Sequence, residues 1–220
     1  LVGLVLKALF DSPHPIWIIG VALVMLLAAG REVRARQTRA LTGHWGFLIG
    51  TGAMFFSSFT VTIFALIVII QNKTWYEPQY AIPLLGMVLG NTMTGISLGL
   101  DKLTNSAWEQ RAKIEAQLAC GPPSNQAMSS LRKESIRTGM IPIINAMAVA
   151  GIVSLPGMMT GQILSGTPPV EAVKYQILIM FLIASGTGLG TLLAIIIGSR
   201  RLFDERQRLR LDRLAPAKKS

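Results

Sequence analysis

The sequence predicts an all-α fold: a polytopic membrane helix bundle of about five complete spans, with an N-terminal partial span and a re-entrant or external half-helix. Three observations predict it. Of 220 residues, 51% are hydrophobic and 15% charged, and the mean hydropathy is +0.50, more apolar than a soluble core of this size requires. Apolar runs recur along the chain with lengths suited to a ~30 Å hydrocarbon layer, and short polar segments separate them. Lys and Arg are partitioned as well: 18 of the 21 fall in three alternate connections, Arg31–Arg39, Lys102–Arg137 and Arg200–Lys219. That asymmetry marks cytoplasmic loops and places the C-terminus inside. A net charge of +10 can also signal nucleic acid, but that requires the cations on one face with aromatics among them. Here they are dispersed over separate loops, so no nucleic-acid partner is expected.

The elements follow in order, within one transmembrane domain over residues 1–220. Residues 1–10, LVGLVLKALF, are too short to cross a bilayer and read as the tail of a span begun upstream. Pro13 and Pro15 enforce an external turn. The first complete span runs from about Ile16 to Gly30, with Trp17 as an interfacial anchor. The second runs from His44-Trp45 to Ile70, and residues 72–80 form an external loop carrying Trp75, Tyr76 and Tyr80. The third, Ala81 to Leu100, contains the pairs Gly86/Gly90 and Gly95/Gly99, a spacing that permits close helix approach in lipid. Asn91 shares the Gly95 stripe and is expected to point into the bundle.

A cytoplasmic segment over about 101–138 comes next. Leu103, Ala107, Ile114 and Leu118 recur at helical spacing, and Gly121-Pro122-Pro123 stops that helix. Ser124 is a candidate N-cap for a second helix, with Ala127, Met128, Leu131 and Ile136 on its apolar side and Arg132, Lys133, Glu134 and Arg137 on its charged side. A short amphipathic helix across the mouth of a bundle is a docking surface for a soluble partner. The fourth span covers about Gly139–Leu155. Pro156-Gly157 then breaks the helix, and Met158–Leu164 before Gly166-Thr167-Pro168-Pro169 reads as the half-helix. Broken backbone at membrane depth needs protein or a water-filled cavity around it, so Met158, Met159 and Gln162 with Asn91 and Asn145 are the candidate pathway residues. The fifth span is roughly Val173–Gly198, and a basic cytoplasmic tail covers about 200–220.

Several chemistries lack their residues. There is no GxxxxGK[ST] phosphate loop, so any ATP must be used by another subunit. His14 and His44 stand apart, with no HExxH and no clustered ligands, so no metal site is expected. Apart from Lys174 at the entrance of the fifth, no Asp, Glu, Lys or Arg lies within the second to fifth spans, which argues against a proton relay. With no nucleophile–base pair in a span interior, the chain is not expected to be an enzyme or to bind a cofactor. Cys120 is alone and cannot form an internal disulfide.

Two resemblances sharpen this reading. The spacing Glu115-Ala116, then Gly121, then Ile141-Pro142 resembles the EAA loop of ABC-transporter permeases, which inserts into a groove of the ATPase subunit, although the interval before Ile-Pro is longer here than in importers. The segment IVSLPGMMTGQILSGTPPVEAVKYQI (152–177), together with GMVLGNTM from Gly86 to Met93, closely resembles the Fet-type ABC permeases, an iron-export family with plant aluminium-tolerance relatives. The resemblance covers most of the chain. It implies a seven-span permease subunit, of which this chain lacks one span and part of a second. It also implies a separate ATPase partner and pairing of permease copies in the cell membrane. Substrates across the family range from metal ions to a nucleotide sugar, so an organic-solute permease is the alternative, with a passive channel or scaffold behind it. Some members carry an acid and a lysine in the span before LPG; here Asn145 and Ala148 stand there. On this resemblance Glu115, Ala116, Gly121, Ser124, Arg132 and Glu134 are the coupling candidates.

Overall fold

The computed structural model describes residues 15–70, 78–152 and 155–217. The N-terminal partial span, the turn over 11–14 and most of the loop over 72–80 lie outside them. The described residues form eight α-helices and no named strand: α1 (Pro15–Ala35), α2 (Trp45–Phe64, prolonged by a π-helical stretch Ala65–Ile70), α3 (Pro78–Glu109), α4 (Arg111–Ala119), α5 (Ser124–Ala127), α6 (Ser129–Val149), α7 (Gly157–Leu164) and α8 (Pro169–Arg201).

Four of these are long and apolar enough to cross a membrane: Ile16–Ala35, Trp45–Val68, Ala81–Glu109 and Pro169–Arg201. They correspond to the first, second, third and fifth expected spans, and three of them run further than expected. Gly30, Gly99 and Gly198 stand near the expected ends, and the helices run through them, since a glycine inside a helix costs only about 1 kcal/mol. α1 is prolonged by a turn in which Glu32 pairs with Arg36 at 2.9 Å. The expected fourth span needs correction. It is not a free-standing helix over 139–155 but the second half of α6, which begins at Ser129 and passes through Gly139 and Pro142 without a break. The amphipathic segment and the apolar segment are therefore one rod, which ends at Val149 before Gly151 turns the chain at φ +82°.

α3 is the central helix, in contact with α1, α2, α6 and α8. Small residues set its packing. A Cβ on Gly95 would lie 2.6 Å from Thr187 Cγ2 and 3.0 Å from the Gly139 carbonyl oxygen, and one on Gly99 would lie 3.3 Å from the Ser135 carbonyl oxygen. α3 and α6 thus meet backbone to backbone, with Thr187 and Thr191 of α8 packed onto the seam, the close contact that drives helix association where lipid is as apolar as leucine. Gly186 and Gly190 of α8 seat Val88 and Thr92 of α3 in the same way. Of the four glycines expected at helix contacts, Gly95 and Gly99 lie in this seam. Gly86 faces only Met25 of α1, and a Cβ added to Gly90 would have nothing within 4 Å.

The deepest core, with Met54, Ile96, Leu100, Leu103, Ile114, Met128, Ile195 and Leu202 under 2% exposed, lies toward one end of the bundle. That end gathers all three basic segments. The Thr38 amide donates to Asp101 Oδ1 at 2.6 Å, Leu41 bridges Leu214, and the Arg39 guanidinium stacks 4.3 Å from the centre of the Trp108 ring. The alternate-loop partition of cations is thereby realised as one basic end.

Candidate functional site: a composite groove at the basic end

The turn between α4 and α5 is built as the sequence implies, with one change. Cys120 donates back to Ala116 and Gln117, Gly121 donates to the Leu118 carbonyl at 3.0 Å, and Gly121 takes φ +99°, the left-handed conformation glycine adopts without a Cβ penalty. Ser124 is not the N-cap. Pro123 is, at φ −67° and ψ 156°, and Ser124 is the first helical residue. Its amide, one of the orphan donors of a helix start, donates to Gln207 Oε1 at 2.8 Å.

Gln207 belongs to the tail, which composition alone reads as a solvated basic run. Asp204 instead folds it into a hook. Its Oδ1 accepts from the amides of Arg206 at 3.0 Å and Arg208 at 2.8 Å, and its Oδ2 binds the Arg208 guanidinium at 2.9 Å. Phe203 then bridges Leu209, and Gln207 sits at the tip with φ 56°. These bonds, led by the Arg208 amide, hold the Asp204 carboxyl below its usual range. The neighbouring Asp212 is drawn down to about 2 by its hydrogen-bonded pair with Arg210. Arg213 closes the arrangement by donating to the carbonyls of Arg201 at 2.7 Å and Phe203 at 3.0 Å, groups the end of α8 leaves unpaired.

Between the α4–α5 turn and this hook lies a groove of about 800 Å³, walled by Glu115, Leu118, Gly121 and Pro122-Pro123 on one side and by Glu205–Leu209 on the other. Of the coupling candidates, Glu115 and Gly121 line it, Ala116 lies exposed on the same short helix, and Ser124 ties the two walls together. Arg132 and Glu134 do not line it. The Arg132 guanidinium binds Asn125 and braces α5 over α6. Glu134 pairs with Lys102 of α3 at 2.8 Å across a half-exposed surface, worth about 0.2–1 kcal/mol. The functional candidates that sequence reasoning missed are therefore Gln207, Arg206 and Glu205. The available signal was Asp204 two residues before Arg206, the spacing of an Asx turn.

The pathway candidates are divided rather than brought together. Asn91 is exposed on α3 and spends its Nδ2 on the Met87 carbonyl at 2.8 Å; it does not point into the bundle, a correction of the stripe argument. Asn145 is likewise exposed, on α6. Met159 is 5% exposed and Met158 40%, with Gln162 between them in exposure. α7 closes on itself through a Schellman turn, Thr167 donating to Gln162 and Gly166 to Ile163, each at 3.0 Å. Its C-terminal carbonyls therefore have protein partners rather than a water-filled vestibule. Between α2, α3 and α8 the buried, unpaired polar groups are hydroxyls, those of Ser58, Thr62, Thr92, Thr187 and Thr191, while Gln176 buries a carboxamide nearer the start of α8. Among the described residues, no three His, Cys, Asp or Glu side chains are placed to hold a metal ion.

Comparison with known proteins places this arrangement among relatives. The profile of the family described as "Uncharacterised protein family (UPF0014)" matches residues 1–203. The chain is 40% identical over 210 residues to the UPF0014 membrane protein slr1647 of Synechocystis, covering 94% of this chain and 80% of that one. It is 33% identical over 148 residues to the "Probable iron export permease protein FetB" of Escherichia coli, covering 67% of this chain and 57% of that one. It is 30% identical over 179 residues to "Protein ALUMINUM SENSITIVE 3" of Arabidopsis thaliana, covering 81% and 63%. No solved structure matches.

Proposed function

The chain belongs to the UPF0014 family of membrane proteins, and from that premise we propose that it is the membrane-spanning permease subunit of an ABC transporter, driven by a separate ATPase subunit. The cargo is a metal ion such as iron, or a related small solute, moved outward, as the printed name of the Escherichia coli relative says of that protein. Two copies of the chain form the transporter in the cell membrane, with the basic end and the C-terminus cytoplasmic, in keeping with the positive-inside rule.

The observation that carries the reading is the composite groove. It sits on the ends of the long helices, so a partner seated in it is mechanically connected to them: α3 leads through α4 into one wall, α8 leads directly into the hook, and α5 leads into α6. Its walls offer both signs of charge, Glu115 and Glu205 against Arg206 and Arg208, which suits register-specific docking of a protein surface better than capture of a small anion. α6 is one continuous helix from this end into the bundle, with Pro142 inside it, so a tilt at the groove is carried toward the bundle.

The test is co-expression with the ATP-binding-cassette protein of the same genome. Gly121→Val leaves open space for the side chain but opposes φ +99°, a conformation that costs an L-residue about 1–2 kcal/mol. The variant should reach the membrane, fail to co-purify with the ATPase, and lose transport. Normal co-purification and transport in Gly121→Val and in Gln207→Ala would remove the docking role from this groove.

A further inference from the structure

At the end of the bundle opposite the basic one, α6, α7 and α8 form a second, half-open cavity of about 410 Å³, more than twice the ~150 Å³ that accommodates one benzene ring. Its wall includes Met147 of α6, Met159 of α7, and Met180 and Phe181 of α8, and it holds one polar side chain, Gln176. Gln176 is 8% exposed, and its Oε1 has no hydrogen-bond partner. From Pro169, where α8 begins, Gln176 lies about 10 Å along the axis at ~1.5 Å per residue, well inside the depth of one leaflet.

We infer that this cavity is a binding site for an uncharged amphiphile carrying a hydroxyl group, with its chain against the methionines and its hydroxyl on the Gln176 carboxamide. Each alternative guest fails on one count. An ion would need a countercharge, and none of the lining residues is ionisable. A single ordered water, with a share of liquid volume of ~30 Å³, would pair with Gln176 but leave most of the space unfilled. A pure hydrocarbon would fill the volume but leave the buried oxygen unpaired. A hydroxyl both donates and accepts, so it satisfies either face of the carboxamide. Methionine walls suit such a guest because unbranched thioethers adapt to irregular chain contours. The site goes beyond the transport reading and stands without it, since neither the groove nor an ATPase enters the argument.

The experiment uses the full chain in lipid vesicles and a 1-decanol analogue bearing a diazirine on its alkyl chain. After photolysis, Met159 and Met180 should be labelled at least fivefold more than the exposed Leu23, Val24 and Leu27 of α1. Excess 1-decanol should compete with that labelling, and 1-methoxydecane at the same membrane concentration should not. Gln176→Leu, close in volume, should remove the distinction between alcohol and ether. Equal labelling of α1 and the cavity methionines, or equal competition by the ether in the parent chain, would overturn the inference, and both readouts are available whether or not any variant folds.

Discussion

The closest approach of a glycine to the backbone of a neighbouring helix yields a quantitative expectation. A Cβ on Gly139 would stand 2.6 Å from the carbonyl oxygen of Gly95 and 2.7 Å from Thr191 Cγ2, against an ordinary contact of 3.4 Å or more. The deficit is about 0.8 Å. Gly95 sits mid-helix in the 32-residue α3, so its carbonyl cannot rotate away, and α3 and α6 must separate. A radial gap of ~0.5–1 Å forfeits roughly a quarter to a half of each dispersion well along the seam, and overpacked cores lose about 1–3 kcal/mol. Gly→Ala in a helix also gains about 1 kcal/mol of propensity, which a control isolates: Gly52 of α2 has nothing within 4 Å of its Cβ position, so Gly52→Ala collects the gain without the clash. At roughly 2–4 °C per kcal/mol for a chain of this size, Gly139→Ala should melt about 2–12 °C below Gly52→Ala by tryptophan fluorescence in detergent. If Gly139→Ala melts at or above Gly52→Ala, α3 and α6 do not cross at these glycines.

Other expectations follow from the same geometry. Native Cys120 is exposed at the basic end, so it should react with an impermeant maleimide only after permeabilisation, whereas Ser165→Cys, beyond α7, should react in intact cells; the reverse pattern inverts the topology. The tail hook should loosen in acid. Asp204 and Asp212 ionise at lower pH folded than unfolded, so their contribution is complete above the ordinary carboxylate pKa of ~3.9 and fades as pH falls toward about 2 for Asp212. Hydrogen-exchange protection over residues 203–214, corrected for intrinsic rates, should persist at about pH 5 and decline below ~3.9; protection unchanged down to about pH 2 would deny the hook its carboxylates. Reconstituted with the ATPase, substrate-stimulated hydrolysis should survive Asn145→Leu, since Asn145 stands exposed on α6 and outside the pocket that Met159 lines. Loss of stimulation in that variant would return the solute path to Asn145, and a parent protein not stimulated by iron would favour an organic cargo.

What was legible in the sequence is what depends on local composition. Apolar length identified the four long spans, because hydrocarbon thickness sets a minimum run and needs no partner to set it. The cation partition anticipated one basic end, since each loop carries its charge regardless of how the helices pack. Gly121-Pro122-Pro123 fixed the α4–α5 turn through backbone sterics, with Ile114, Ala127, Met128 and Leu131 turned inward as their spacing implies. Which face each membrane helix buries was decided only by the tertiary structure. Asn91 shares a sequence stripe with Gly95, yet α6 and α8 take the Gly95 side and leave Asn91 outside, because hydropathy selects a helix's length while its rotation is set by its neighbours. The N-terminus of α5 is completed by Gln207, 83 residues away, and no local pattern announces a partner at that distance. Ser124 looked like a cap because serine ordinarily is one. Here proline already fixes the entry, and the free amide is answered from the tail, which the chain brings to that point only once α8 has packed against α3.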